Sequence, residues 1–229
     1  MATGNKGTIA KKRTSAELGQ PPFAKPVDHI PEGSLTALRR QASDCKACPL
    51  WRNATQTVFG VGVSKAVAML IGEQPGAQED LAGKPFVGPA GKLLRSALTA
   101  AGMDYRDLYV TNTVKHFKFE RRGKARLHKR ATASEQTACR PWLAAELLRV
   151  QPSLVVALGA MAAQTLFGGD FRLTAERGRW KPLSGGRRAM ATWHPSALLR
   201  MPSPGRERAH QEFFADIEAL AEAMRQSER

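Results

Sequence analysis

Residues 65–72 read KAVAMLIG and run straight into GEQPG (72–76), an apolar stretch of strand length stopped by a polar turn. Three more runs follow the same plan: DLYVTNTV (107–114), SLVVALG (153–159) and RRAMATW (187–193). Helical patterns lie between them, GPAGKLLRSALTAAG (88–102), TASEQTACRPWLAAELLRV (132–150) and AMAAQTLFG (160–168). Apolar strand runs alternating with helices are the pattern of parallel strands covered on both faces. This predicts an α/β fold, a three-layer sandwich around a central, mainly parallel four-stranded sheet. SLTALRRQASDC (34–45), with an N-cap serine, adds a leading helix, and RERAHQEFFADIEALAEAMRQ (206–226) adds a closing one.

That topology locates a site. Open α/β sheets bind ligands beyond the carboxyl ends of their strands. Here those ends deliver GEQPG, TNTVKH (111–116), LGA (158–160) and WHPS (193–196). Glu73, Asn112 and His194 are therefore expected on one edge. A histidine at a strand end is often just a hydrogen-bonded structural residue; its company here argues for a functional one.

The chain carries 35 Lys and Arg against 20 Asp and Glu, a net charge of +15. Such an excess implies an anionic partner, most simply nucleic acid. No stretch approaches the ~20 apolar residues that span a bilayer, and the N-terminus has no apolar signal region. A cytoplasmic, nucleoid-associated protein is the expectation, with no membrane partner and nothing requiring more than a monomer. Residues 1–32, rich in Lys, Pro, Gly and small polar residues, read as a disordered basic arm; residues 33–229 form the folded domain.

Cys45 and Cys48 stand at metal-ligand spacing in CKAC, and Cys139 is the third cysteine. Three thiolates leave a tetrahedral site one ligand short, and His116 is the candidate fourth. This set suits either zinc or an iron–sulfur cluster, and spacing does not choose between them; Cys139 as an inert buried thiol is the plainer alternative. PFVGPAGKLL (85–94) sets glycines before a helix N-terminus, where backbone amides can approach an anion or a flat ligand. Phe86 stands in that turn as either a plug or a stacking platform. Finally, eight of the seventeen residues from Val114 to Arg130 are Lys or Arg. A loop tracking phosphates explains those cations but does not require His128.

Together, GEQPG, DLAGKPFVGPAGKLL, TNTVKHFKF, GKARLH, ACRPWL and HPS resemble the uracil-DNA glycosylase superfamily, and more closely the UdgX group, iron–sulfur relatives of the family 4 enzymes. The similarity runs from about Ser43 to the final helix. Gln74 replaces the alanine of the family 4 GEAPG-like motif, and His116 replaces their third cysteine; both changes are similar to the UdgX group. The resemblance implies a [4Fe-4S] cluster on Cys45, Cys48, His116 and Cys139. It implies uracil held by Gln74, Phe86 and Asn112, and DNA contacts from Lys124, Arg126 and Ser196. Glu73, His128 and His194 become the catalytic set. His128 would be a nucleophile that attaches to the abasic sugar after uracil leaves, kept neutral by surrounding cations. The group's usual loop resembles KRRIH; here Ala125 removes one cation and Leu127 is a mild change. The implied partner is uracil-containing DNA, single-stranded or double-stranded. Two other readings stand beside capture: a hydrolytic turnover glycosylase, and a non-catalytic binder of uracil-containing or abasic DNA.

Overall fold

The computed structural model describes Phe23 and residues 25–227. Helix α1 (Leu35–Ser43) begins where the sequence places it, with the Ser34 hydroxyl accepting from the Ala37 N–H at 3.2 Å. A two-residue strand β1 (Val61–Gly62) precedes β2 (Ala68–Gly72), followed by α2 (Ala77–Ala82) and α3 (Pro89–Ala100). Then come β3 (Tyr109–Asn112) and a separate hairpin of β4 (Phe119–Arg122) and β5 (Ala125–His128). The rest runs α4 (Ala133–Val150), β6 (Leu154–Leu158), α5 (Ala160–Phe167), α6 (Leu173–Glu176), β7 (Lys181–Leu183), β8 (Arg187–Thr192), α7 (Pro195–Arg200) and α8 (Gly205–Ser227).

The main sheet has the order β1-β3-β2-β6-β8-β7. Its four inner strands are parallel, as the apolar runs predict, and β1 and β7 add short antiparallel edges. The sheet is thus six-stranded rather than four-stranded. The two extra strands escaped the sequence because two residues, or three including Pro182, carry no readable period. Alternate residues of the inner strands face opposite layers. Leu70, Val110, Val156 and Met190 pack on α3, α7 and α8, while Met69, Ile71, Val155 and Ala189 pack on α4 and α5. Burial on both faces is what makes these strands read as unbroken apolar runs.

Beneath the carboxyl end of β3 lies a buried ionic knot. Glu146 of α4, fully buried, accepts from the Gly60 N–H (2.8 Å), the Tyr109 hydroxyl (3.0 Å) and the Thr111 hydroxyl (2.9 Å), and pairs with the Lys115 ammonium. Lys115 also donates to the Asn112 carbonyl at 2.7 Å. Every polar atom of the pair has a partner, which is the condition for burying charge at tolerable cost.

The expectation of a disordered arm falls, for residues 1–22 and 24, outside the described residues. Phe23 and Ile30 pack against the domain core. Among the described residues, no helix is long and apolar enough to cross a membrane.

Candidate active site

Parallel register sets the geometry: Gly72 of β2 pairs level with Asn112 of β3, and Leu158 of β6 with Thr192 of β8. The residues just past these ends surround a cavity of about 370 Å³. Its walls include Gln74, Glu79, Phe86, Asn112, His128, His194, Ser196 and Arg200. It sits where β3 and β6 lie on opposite sides of β2, the crossover point that the fold class assigns to ligands.

Asn112 is almost fully buried, and its carboxamide shares the space above Gly72 with the Phe86 ring. A β-carbon at position 72 would stand 2.3 Å from Asn112 Oδ1 and 2.6 Å from Phe86 Cζ. Gly72 is therefore glycine so that both groups can approach the strand. Gly72→Ala is expected to keep the fold and lose ~1–3 kcal/mol to overpacking. Thermal unfolding of the variant against wild type checks that number.

Phe86 adopts φ +55, a left-handed conformation that costs a non-glycine residue ~1–3 kcal/mol. Its ring centroid lies 6.0 Å from that of His194, tilted by 31°. The carboxylate of Glu79 joins the two loops that frame the ring, accepting from Gly88 N–H at 2.7 Å and Gly76 N–H at 3.1 Å. The sequence reading missed Glu79, although glutamate three residues after Gly76 is a capping signal at a helix start.

His194 caps the N-terminus of α7. Its Nδ1 accepts from the Ser196 N–H at 3.2 Å and lies 2.8 Å from the Ser196 hydroxyl. A nitrogen that accepts from a backbone amide carries no proton, so the neutral ring bears its hydrogen on Nε2. Burial, reinforced by Arg200 and His128, lowers the His194 pKa to about 4. The ring is therefore a neutral donor at physiological pH. Ser196, assigned to DNA, reaches the cavity wall but gives its hydroxyl to this histidine.

The basic segment is not a plain loop. It folds into the β4–β5 hairpin, with Phe119 opposite His128 and the turn at Gly123, φ +59. His128, at the end of β5, reaches the cavity, and its ring lies 6.1 Å from Phe117. Its pKa is lowered first by burial and then by Arg200, a cation on α7 rather than one of the loop's own. Arg200 thus bears on His128, His194 and Glu73 alike. Nothing in a six-residue helix such as α7 has enough period to mark it in advance.

Two predicted contacts point elsewhere. The Gln74 amide nitrogen donates to the Lys118 and Lys129 carbonyls (3.3 and 2.9 Å), and its oxygen accepts from Ala131 N–H (3.1 Å). These polar atoms hold both roots of the hairpin rather than the cavity. Arg126 turns inward, donating to buried Asp80 at 2.6 Å and to the Ala77 carbonyl at 3.2 Å, over the rings of Phe117 and Phe119. It locks β5 to α2. Lys124, with Arg121 and Arg122, is exposed at the hairpin tip. Glu73 follows β2 as expected but is not among the cavity walls. Burial raises its pKa, and Arg130 and Arg200 oppose the rise.

The thiols gather in a second place. Cys48 and Cys139 share an apolar cluster with Leu50, Val114 and Met161. Cys45 Sγ accepts from the Trp142 indole N–H and Cys139 Sγ from the Lys115 N–H, each at 3.2 Å. Burial pushes the Cys139 thiol up to about 12, and the other two sulfurs add to the rise. Among the described residues, no three His, Cys, Asp or Glu side chains are arranged to hold a metal ion. The donor chemistry nevertheless fits a thiolate-bound group. N–H donors already address two sulfurs, and the Thr57 hydroxyl, having given its hydrogen to the Ala42 carbonyl, must accept from His116 Nε2 at 2.9 Å. That leaves the Nδ1 lone pair of His116 free to ligate, the usual arrangement for a metal-binding imidazole.

Residues 59–218, which contain all the described strands and the residues lining the cavity, match the uracil DNA glycosylase superfamily. Type-4 uracil-DNA glycosylases are similar in sequence. That of Thermotoga maritima is 35% identical over 170 residues, covering 74% of this chain and 85% of its own length. That of Archaeoglobus fulgidus is 33% identical over 199 residues, covering 82% and 92%. The crystal structure of Pedobacter heparinus SMUG2 aligns at 14% identity with a TM-score of 0.47, over 68% of this chain and 76% of that one. The chain belongs to the uracil DNA glycosylase superfamily, with type-4 enzymes among its relatives.

Proposed function

We propose that this protein excises uracil from DNA and is then captured on the resulting sugar through His128, as in the UdgX group. The observation that carries this reading is that His128 lines the same cavity as Phe86, Asn112 and His194. The target nucleotide leaves the stack to enter that cavity. Phe86 stacks on the base, and the Asn112 amide donates to uracil O4 while accepting from N3–H. Cytosine reverses that pattern and leaves buried polar groups unpaired, at ~1–3 kcal/mol each.

As the C1′–N1 bond breaks, its electron pair leaves with uracil. His194 Nε2–H faces the charge growing on uracil O2, an oxyanion-type stabilisation. The carboxylate of Glu73 offsets the charge on the oxocarbenium-like sugar. The lone pair of neutral His128 then forms a bond to C1′, and the imidazole's other nitrogen loses its proton to solvent. A side chain already in place competes with water at an effective molarity of up to ~10⁵–10⁸ M. The exposed cations Arg121, Arg122 and Lys124 suit the phosphate backbone. Cys45, Cys48, Cys139 and His116 would hold a [4Fe-4S] cluster, which supplies a cross-link between the segment before β1 and α4.

Hydrolytic turnover is the second reading, favoured by the type-4 relatives. Limiting protein mixed with excess uracil-containing oligonucleotide separates the two. Capture gives a band of protein plus oligonucleotide on a denaturing gel and stops uracil release near one equivalent, whereas turnover passes it without a band. The pH dependence adds a second readout. Both imidazoles act in the neutral form, and both pKa values lie below the ordinary 6.5. Adduct yield is therefore expected to stay flat as pH falls through 6.5 and to drop below it, as His128 gains its proton. Uracil release should fall where the Glu73 carboxyl, whose pKa burial raises above the ordinary 4.5, gains its proton, with His194 titrating below that, near 4. An adduct yield that halves at or above pH 6.5 would contradict this assignment.

A further inference from the structure

The geometry points to Arg95 as a positioning residue for the base-stacking ring, with Tyr105 as its support. Phe86 is held in its left-handed conformation from outside the cavity. Arg95, on the far side of α3's first turns, reaches back nine residues to donate from Nη1 to the Phe86 carbonyl at 2.9 Å. The preceding carbonyl, Pro85, lies 3.5 Å from the Tyr105 hydroxyl. The Arg95 guanidinium rests over the Tyr105 ring at 5.3 Å, so the two donors brace each other. Gly91 completes the arrangement, because a β-carbon there would stand 1.6 Å from the Phe86 oxygen. The carbonyl is thus seated against α3 and tied by a cation, and this orientation of the peptide fixes where the ring projects.

The alternative role for Arg95 is a solvated helix-surface cation. Its side chain is instead partly buried and directed at a main-chain oxygen that no other described hydrogen bond reaches. Without that tie, the backbone at Phe86 relaxes toward an unstrained conformation and the ring withdraws from its place over Gly72. Asn112, His194 and His128 are held by other elements and stay. The consequence is a selective loss of base affinity with the chemical groups intact.

This inference rests on the reading of Phe86 as the uracil-stacking ring, and the test keeps the two separable. Arg95→Met in the full chain is expected to weaken binding of free uracil, measured by calorimetric titration, by about tenfold, the low end for losing a base–aromatic stack. The maximal single-turnover rate on saturating uracil-DNA should stay within about threefold of wild type, since stacking contributes uniform binding. Arg95→Lys, which keeps a cationic donor, should recover most of the affinity. In a Phe86→Leu background, Arg95→Met should add nothing. Unchanged uracil affinity in Arg95→Met, or full additivity with Phe86→Leu, overturns the inference. Should the wild-type chain itself fail to bind uracil, the stacking reading falls. The three-bond coupling between the Phe86 amide and α protons then decides the positional role: a change in Arg95→Met upholds it, and no change sinks it.

Discussion

Replacing His128 with serine is expected to remove the denaturation-resistant DNA adduct entirely while leaving uracil release in place. Base departure precedes imidazole attack in the proposed order, and the groups that assist departure are untouched. The rate of bond breaking should change by less than about tenfold, ~1.4 kcal/mol. Water then takes the position of the imidazole, so the variant should release more than one equivalent of uracil. His194→Ala offers the contrast. Loss of a donor aimed at developing charge costs about 10²–10³ in rate, and adduct and free uracil should fall together. A His128→Ser adduct that survives boiling in detergent would remove His128 from the role of nucleophile. Loss of both activities in that variant would mean departure and attack are not separate events.

The second large effect is on stability. Glu146→Ala strips the partner from the buried Lys115 ammonium and leaves the Gly60 amide and the Tyr109 and Thr111 hydroxyls without their acceptor. Breaking a buried pair from one side costs ~3–5 kcal/mol. For a domain of this size that corresponds to a drop in melting temperature of about 6–20 °C. Because Lys115 also holds the Asn112 carbonyl, uracil release should fall as well. Removing both charges, with Lys115→Met and Glu146→Leu together, should be less damaging than Glu146→Ala alone. A loss under about 1 kcal/mol in Glu146→Ala would show that the pair is not the fastening described here.

The four inner strands were legible because burial on both faces writes each as an apolar run. Ser34 marked its helix because a capping hydroxyl is a local signal, and that hydroxyl does accept from a first-turn amide. The strand ends then placed Asn112, His194 and Glu73 on one edge without any knowledge of side-chain direction. What the sequence could not convey were partnerships between distant segments. Gln74 is a base contact by resemblance, and it does line the cavity. Its amide nevertheless bonds groups 44, 55 and 57 positions away, and only the folded hairpin brings them there. Arg126 read as a phosphate contact because it sits in a cationic run; its true neighbour Asp80 lies 46 residues upstream. The hairpin itself was hidden by charge. Its inward-facing positions include Arg126, whose stem covers aromatic rings while its head group pairs, so no apolar alternation appears.

The hairpin that carries His128 lies outside the main sheet, and it is fastened through Gln74 and Asp80 rather than through Phe86, Asn112 or His194. In the proposed mechanism, bond cleavage and self-trapping would therefore reside on separable pieces of chain. On that reading, deleting the ribbon would abolish suicide behaviour and leave the cleavage groups in their places on the main sheet.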